Sequence, residues 1–278
     1  MDLSEDRCRA LGLEPVVFPA ARGKHRYMAG PDSARLADLQ AAFDDRSIDG
    51  VWALRGGYGT LRILDELDLR RQLEDPIPFI GFSDNTSIHA RHAALGVVSF
   101  HGPHPGGDFP AETEAAFRRV LFTPEAPGAL TCRSGDPVPR TLVPGRAEAP
   151  LVGGNLALLA AMCGTRHALD ARGRILFLED VAEPAYRVDR LLQQLQAARV
   201  MEGVVGLALG RFSKSPDEDE HSVAEVLAEV AERLGVPAVV DLPFGHVEHN
   251  WTLPVGTLAR LDGSAATLTL VEAAVREA

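Results

Sequence analysis

Lysine is nearly absent: Lys24 and Lys214 are the only two among 28 cationic side chains, which leaves few candidates for a Schiff base or a Ser–Lys dyad. Cysteine is scarce too. Cys8, Cys132 and Cys163 are odd in number, far apart and include no C-x-x-C pair, so neither a disulfide framework nor a cysteine zinc site is indicated. Aromatic residues make up 6% of the chain, and the core must be packed chiefly with aliphatic side chains. Cations are outnumbered, 28 Lys and Arg against 39 Asp and Glu for a net charge of −11, which argues against nucleic acid or an anionic membrane as the main partner. The longest apolar run, Leu156 to Cys163, is far short of the roughly 20 residues needed to cross a bilayer. The acidic opening Met1-Asp-Leu-Ser-Glu-Asp6 leads into no apolar stretch of about 7–15 residues such as a secretory signal carries. A soluble, cytoplasmic protein is expected.

What is present is ordinary for a globular protein: 278 residues, 46% hydrophobic and 24% charged, long enough for about two domains. Residues 1–122 alternate short apolar strands with helices. The strands are Glu14–Pro19, Asp49–Leu54, Pro78–Phe82 and Val97–Phe100; the helices are Asp32–Phe43, Leu61–Leu73 and Thr86–Leu95. Such alternation predicts an α/β fold with a mainly parallel sheet covered by helices. Residues 123–150 hold six of the 19 prolines and read as a linker between domains or as an irregular arm on the first. Residues 151–278 begin with Leu151-Val-Gly-Gly-Asn155 and an apolar helix to about Cys163, followed by strands at Arg174–Leu178, Val204–Leu209, Pro237–Val240, Thr252–Leu261 and Ala266–Val271 and helices at Arg187–Ala198 and Ser222–Leu234. The acidic run Asp217-Glu-Asp-Glu220 reads as a solvated loop.

Four segments could carry chemistry. In Ile80-Gly-Phe-Ser83-Asp-Asn-Thr86 a buried strand enters a tight turn and a helix follows, as a nucleophile elbow requires, although Asn85 replaces the second glycine of G-x-S-x-G. The competing reading makes Ser83, Asp84 or Thr86 a helix cap. Leu54-Arg-Gly-Gly-Tyr-Gly-Thr60 fits neither nucleotide-binding glycine pattern; it is either a plain tight connection or a source of oxyanion donors. Ile175-Leu-Phe-Leu-Glu179-Asp180 ends a strand in acids, so that Glu179, Asp180 and Glu183 compete for the role of orienting a histidine. Leu242-Pro-Phe-Gly-His246 puts a histidine, the side chain suited to proton shuttling near neutrality, in a turn between strands. Ser, Glu and His then follow the chain order of α/β-hydrolase triads. The H-x-x-H pairs His89/His92, His101/His104 and His246/His249 offer a metal site as a rival, with His89 and His92 expected on a helix surface.

Taken together the segments resemble the LD-carboxypeptidase family of serine peptidases, which includes muramoyltetrapeptide carboxypeptidases and microcin-immunity-type relatives. The matching stretches are Met28-Ala-Gly with Asp38-Leu-Gln-Ala-Ala-Phe43, Arg55-Gly-Gly-Tyr-Gly59, Gly81-Phe-Ser-Asp-Asn-Thr86 and His101-Gly-Pro103. They continue with Gly153-Gly-Asn155, Leu178-Glu-Asp180, and Gly245-His246 with Leu253-Pro-Val-Gly256. They occur in the family's order over nearly the whole chain. The resemblance implies a flavodoxin-like, mainly parallel N-terminal domain and a smaller β-rich α/β C-terminal domain, usually paired as a homodimer. It also implies a triad of Ser83 as nucleophile, His246 as base and Glu179 as orienting acid, with the backbone N–H groups of Gly57 and Asp84 as oxyanion donors. No cofactor and no metal are implied.

Family members generally open with a further strand, whereas this sequence starts inside the first helix; either the sheet is shorter or residues precede Met1. The implied reaction removes a C-terminal D-alanine from murein tetrapeptides during cell-wall recycling. Arg55 and Tyr58 are substrate-binding candidates, and Arg187 is a further cation suited to a substrate carboxylate, with surface pairing the competing role for both arginines. The alternatives are an immunity-type peptidase acting on an acyl-sulfamoyl nucleotide, for which Trp52 or Trp251 would supply a stacking surface, a metal-dependent hydrolase, and a non-catalytic binding protein.

Overall fold

The computed structural model describes residues 2–216 and 222–277; the acidic run at 217–220 lies outside them. The first half runs α1 (Asp2–Ala10), α2 (Asp32–Asp44), β1 (Val51–Trp52), α3 (Arg70–Glu74), β2 (Phe79–Gly81), α4 (Thr86–Leu95), β3 (Ser99–His101) and α5 (Ala111–Leu121). Then follow β4 (Gly128–Ala129), β5 (Arg140–Val143), β6 (Arg146–Asn155), α6 (Leu156–Ala161), β7 (Ile175–Val181), α7 (Ala185–Ala197), β8 (Gly206–Ser213) and α8 (Val223–Leu234). The chain ends with β9 (Ala238–Val240), β10 (Leu253–Val255), β11 (Leu258–Asp262) and β12 (Thr267–Leu270).

These strands form two sheets, β1-β2-β3-β10 and β4-β12-β11-β6-β7-β8-β9-β5. Strands β1, β2 and β3 are parallel, as are β6 through β9, giving the α/β architecture expected from strand–helix alternation. The central parallel strands are apolar on both faces, with Leu151, Val152, Ile175, Leu176, Phe177 and Leu178 wholly buried, because helices cover a parallel sheet on each side. Helix α7 packs Val188, Leu192 and Leu195 inward. Helix α8 is started by a reciprocal capping box between Ser222 and Glu225, which satisfies two amides that would otherwise be orphaned.

Several segments depart from the sequence reading. Glu14–Pro19 forms no strand: Pro15 and Pro19 lack the N–H a ladder needs, and Val16 is left exposed. The helix expected over Leu61–Leu73 is instead a 3-10 turn at Thr60–Arg62, irregular chain, and the short α3. Asp68 breaks it, since its carboxylate accepts from the Arg70 amide at 2.9 Å and so offers the backbone a local turn in place of the helical bond. Residues 123–150 are not a bare linker, since they supply β4, β5 and the start of β6. The strand read over Thr252–Leu261 divides at Gly256–Thr257: β10 pairs with β3 of the first sheet, while β11 pairs with β6 of the second.

That crossing ties the halves together, and a second tie lies at Gly153-Gly154-Asn155. A Cβ on Gly153 would fall 1.9 Å from the Phe177 carbonyl oxygen, and one on Gly154 would meet Thr86 at 2.6 Å. Glycine alone lets β6 approach β7 and α4 so closely, and the Asn155 amide then donates to Thr86 Oγ1 at 3.0 Å.

Candidate active site

Ser83 lies two residues past the end of β2 and begins a 3-10 turn, Ser83–Asn85, that runs into α4. Its φ is +63°, a left-handed conformation that costs an L side chain free energy and recurs where function demands a sharp turn. The turn and α4 carry no side-chain cap hydrogen bond at Phe82 or Asn85, and Ser83 caps neither element. Asn85, at the place of the missing second glycine, uses its amide to donate to the carbonyls of Phe82 at 3.0 Å and Arg55 at 3.4 Å, joining the Ser83 turn to the glycine-rich turn.

The glycine-rich turn is held over Ser83. Asp84 Oδ2 accepts from the Thr60 amide at 2.9 Å, and the Asp84 carbonyl accepts from Thr60 Oγ1 at 2.6 Å. Burial pushes the Asp84 carboxyl up, partly offset by these bonds. A Cβ on Gly56 would lie 2.7 Å from Ser83 Cβ, so the turn passes directly across the hydroxyl-bearing residue. Among the described residues neither the Gly57 nor the Asp84 amide donates a hydrogen bond, and both are available to an oxyanion.

Glu179 lies in β7, wholly buried. The ladder is irregular at this point: Leu178 pairs with Leu209 but Asp180 with Phe212, so that Gly210 and Arg211 oppose Glu179 in a bulge of the kind that re-aims a side chain beside a site. Glu179 Oε2 receives His246 Nδ1 at 2.7 Å. Burial works against ionisation of Glu179, but the neighbouring His101 and His246 outweigh it and hold the carboxyl at about 2. An ionised acceptor requires Nδ1 to carry the proton, which leaves Nε2 of His246 as a base. The competitors are engaged elsewhere. Asp180 accepts from Asn155 Nδ2 at 2.9 Å and from the amides of Ala157 and Val181 at 3.0 and 2.8 Å, while Glu183 pairs with Arg187 at 2.8 Å.

His246 follows β9 in a loop strapped to β8: Ser213 Oγ donates to the His246 carbonyl at 2.8 Å, and the Gly245 amide donates to Asn250 Oδ1 at 3.0 Å. Ser83, Glu179 and His246 thus come from the carboxyl ends of parallel strands or the loops after them, where α/β folds gather their sites. Ser83 and His246 line one cleft of about 230 Å³ with Arg55, Gly56, Gly57, Phe82 and His104.

Gly56 and Phe82 lie within two of the candidate segments but have no role of their own in the sequence pattern, which offers His104 only as half of a metal pair. His104 stacks on Phe82 with ring centroids 4.4 Å apart; burial, with the nearby His101, His246 and Arg55, lowers its imidazole to about 3, so it is a neutral wall of the cleft. The repeated histidines of His101-Gly-Pro-His104 were the available signal.

Arg55 is exposed in the cleft and has no carboxylate partner among the described residues. Tyr58 does not line the cleft: more than half exposed, it meets Tyr27 edge to face at 5.7 Å. Neither tryptophan lines it either. Trp52 stacks on Phe117 at 4.7 Å, and Trp251 is buried with Nε1 donating to the Thr131 carbonyl at 2.9 Å.

The H-x-x-H pairs have other partners. His89 and His92 are fully buried rather than on a surface. His89 bonds Ser99 Oγ and the Gly81 carbonyl, both at 2.8 Å, and His92 stacks on Phe79. His249 is bound to Asp136 at 3.1 Å. Among the described residues no three His, Cys, Asp or Glu side chains gather as a metal site.

Comparison with known proteins matches residues 1–102 to the LD-carboxypeptidase N-terminal domain and residues 148–261 to the LD-carboxypeptidase C-terminal domain. A relative from Streptomyces coelicolor is 44% identical over 95% of this chain and 86% of its own. The murein tetrapeptide carboxypeptidase of Pseudomonas aeruginosa is 35% identical over 95% of this chain and 89% of its own. Among solved structures, muramoyltetrapeptide carboxypeptidase from Oxalobacter formigenes superposes with a TM-score of 0.84 at 32% identity, covering 96% of this chain and 92% of that one. MccF in complex with glutamyl sulfamoyl guanosine superposes at 0.87 with 22% identity, covering 99% and 91%; that likeness is one of fold.

Proposed function

Because the chain belongs to the LD-carboxypeptidase family, we propose that it is a serine-type carboxypeptidase that removes the C-terminal D-alanine from murein tetrapeptides. Ser83 Oγ attacks the carbonyl that joins the L-configured centre of a diamino acid to the D-alanine. His246 Nε2 takes the hydroxyl proton and returns it to the leaving amine, while Glu179 fixes the ring and stabilises the imidazolium. The Gly57 and Asp84 amides receive the negative charge that develops on the carbonyl oxygen; one such donor is commonly worth about 3–4 kcal/mol. Water then resolves the acyl-enzyme by the same route in reverse. Arg55 presents a planar fork to the free carboxylate of the substrate.

The observation that carries this reading is the 2.7 Å His246–Glu179 pair opening onto the same cleft as a serine held at a φ of +63°. The family resemblance extends the proposal to a cytoplasmic homodimer acting in murein recycling; no helix among the described residues is long and apolar enough to cross a membrane. The test is incubation with muramoyl tetrapeptide, its all-L analogue and an acyl-sulfamoyl nucleotide. Release of D-alanine from the first alone, lost in Ser83→Ala, is expected. Turnover of the nucleotide alone would replace this reading with the immunity-type one, and retention of activity in Ser83→Ala would end both.

A further inference from the structure

Behind the Glu179–His246 pair lies a second imidazole that the proposed mechanism does not use. His101, the last residue of β3, is wholly buried, and neither of its ring nitrogens has a hydrogen-bond partner. Glu179 Oε1, the oxygen turned away from His246, is equally buried and unpartnered. His101 Nε2 and Glu179 Oε1 stand 3.8 Å apart. Leaving a donor and an acceptor unsatisfied in a dry interior is unfavourable for each, and closing the gap by roughly 1 Å would satisfy both. The ring meets Phe82 at 5.8 Å and Phe177 at 5.2 Å, both edge to face.

We propose that His101 is a positioning residue: its Nε2–H holds Oε1 of Glu179 and thereby keeps Oε2 directed at His246. The placement gives this contact a particular consequence. His101 belongs to the first sheet, where it lies in register with Gly81, two residues before Ser83; Glu179 belongs to the second. One hydrogen bond therefore fixes the proposed orienting acid against β3, the strand paired with the one that leads to Ser83. The groups facing Glu179 are His101 and His246, with Asp180 beside it in β7 and His89 behind His101 at a ring separation of 6.1 Å. Loss of one of the two imidazoles gives burial more weight in the Glu179 balance and moves its protonation to higher pH.

This inference rests on the serine-peptidase reading, so its test uses a probe that needs no natural substrate. Covalent labelling of Ser83 by a fluorophosphonate is followed from pH 4 to 8 in the wild type, His101→Gln and His101→Met. Glutamine keeps an N–H donor near the position of Nε2; methionine keeps volume without a donor. The expected result is labelling of His101→Gln within a few-fold of wild type. For His101→Met we expect slowing by about 10- to 100-fold, the size of effect that small misplacements of catalytic groups produce, with the acid limb moved to higher pH. With muramoyl tetrapeptide the loss should fall on kcat and leave KM nearly unchanged. Equal decline in the two variants, or a wild-type pH profile in His101→Met, overturns the proposal. Nitrogen-15 NMR of the wild-type imidazoles gives a reading that depends neither on folding of a variant nor on labelling: His101 protonated at Nε2 supports the contact, and protonation at Nδ1 alone overturns it. A wild type that resists the phosphonate overturns the assignment of Ser83 instead, while the NMR result still decides on His101.

Discussion

Gly245 lies so close to Glu179 that a Cβ on it would stand 3.0 Å from both Cβ and Oε2 of the acid. Its φ of +113° is also one that L side chains avoid. Since Gly245 directly precedes His246, the absence of a side chain there is what allows the imidazole to descend onto the carboxylate. Gly245→Ala is expected to lower kcat/KM by about 100-fold through misplacement of His246, and to cost about 1–3 kcal/mol in stability through backbone strain. Steady-state kinetics and urea unfolding of the same preparation check both; an alanine variant with wild-type turnover would contradict the geometry of the pair.

The conformation of Ser83 separates activity from stability. Both Ser83→Ala and Ser83→Gly remove the hydroxyl and should reduce turnover to background. Glycine alone also relieves the left-handed strain, which for a non-glycine residue amounts to roughly 1–3 kcal/mol, against a loss of about 0.4–1 kcal/mol from the more flexible unfolded chain. Thermal melts should therefore place Ser83→Gly at or above the wild type, and above Ser83→Ala. The reverse order would show that no strain is held at the turn.

Local pattern made part of this site readable. Strand β2 followed by glycine, serine and a helix start was visible because its parts are contiguous, and so was the acid at the end of β7. What could not be read depends on contacts between distant segments. His89 and His92 look like a surface pair because polar residues three apart on a helix usually are. They are buried because Ser99, the Gly81 carbonyl and the Phe79 ring wait for them across the first sheet. The choice of Glu179 over Asp180 and Glu183 required the family resemblance; in space it follows from the bulge opposite Gly210 and Arg211, which no spacing rule marks. Thr252–Leu261 has strand composition throughout, and nothing local says that its two ends belong to different sheets.

The buried histidines predict how the fold responds to acid. Burial lowers His92 to about 4 and His104 to about 3, and pushes His89 well below its ordinary range. Each therefore binds its proton more weakly in the folded chain than in the unfolded one. Their stabilising contribution is complete above about pH 6.5 and is lost as pH falls through the folded values. Asp180 has the opposite sign, because burial raises it to about 6: it favours the fold below its usual value of 3.8 and loses that contribution as pH rises towards 6. Asp84, also raised by burial, acts in the same direction; three histidines outweigh these two carboxyls, and the urea midpoint should fall steadily from pH 6.5 to 4. His92→Phe, which keeps the stack on Phe79 without a titrating ring, should flatten the curve by up to about 3 kcal/mol, the equivalent of a shift from 6.5 to about 4. An unchanged slope would refute the assignment.

Arg55 should divide substrates by their C-terminus. Its guanidinium reaches into the cleft beside Gly57, where a Cβ would come within 3.1 Å of Nη2, so a carboxylate bound by the fork would lie next to the turn proposed to receive the oxyanion. A charge-assisted hydrogen bond of this kind is worth about 1.5–3 kcal/mol, and Arg55→Ala is accordingly expected to raise KM for a free-carboxylate peptide by about 10- to 100-fold with kcat less affected. Lysine carries the charge but not the fork, so Arg55→Lys should recover only part of the loss. A peptide ending in D-alanine amide should bind poorly to the wild type and be nearly indifferent to either substitution, since it offers no carboxylate for the guanidinium to receive. Parallel inhibition constants for the acid and amide forms measure this directly, and equal sensitivity of the two forms would remove Arg55 from carboxylate recognition.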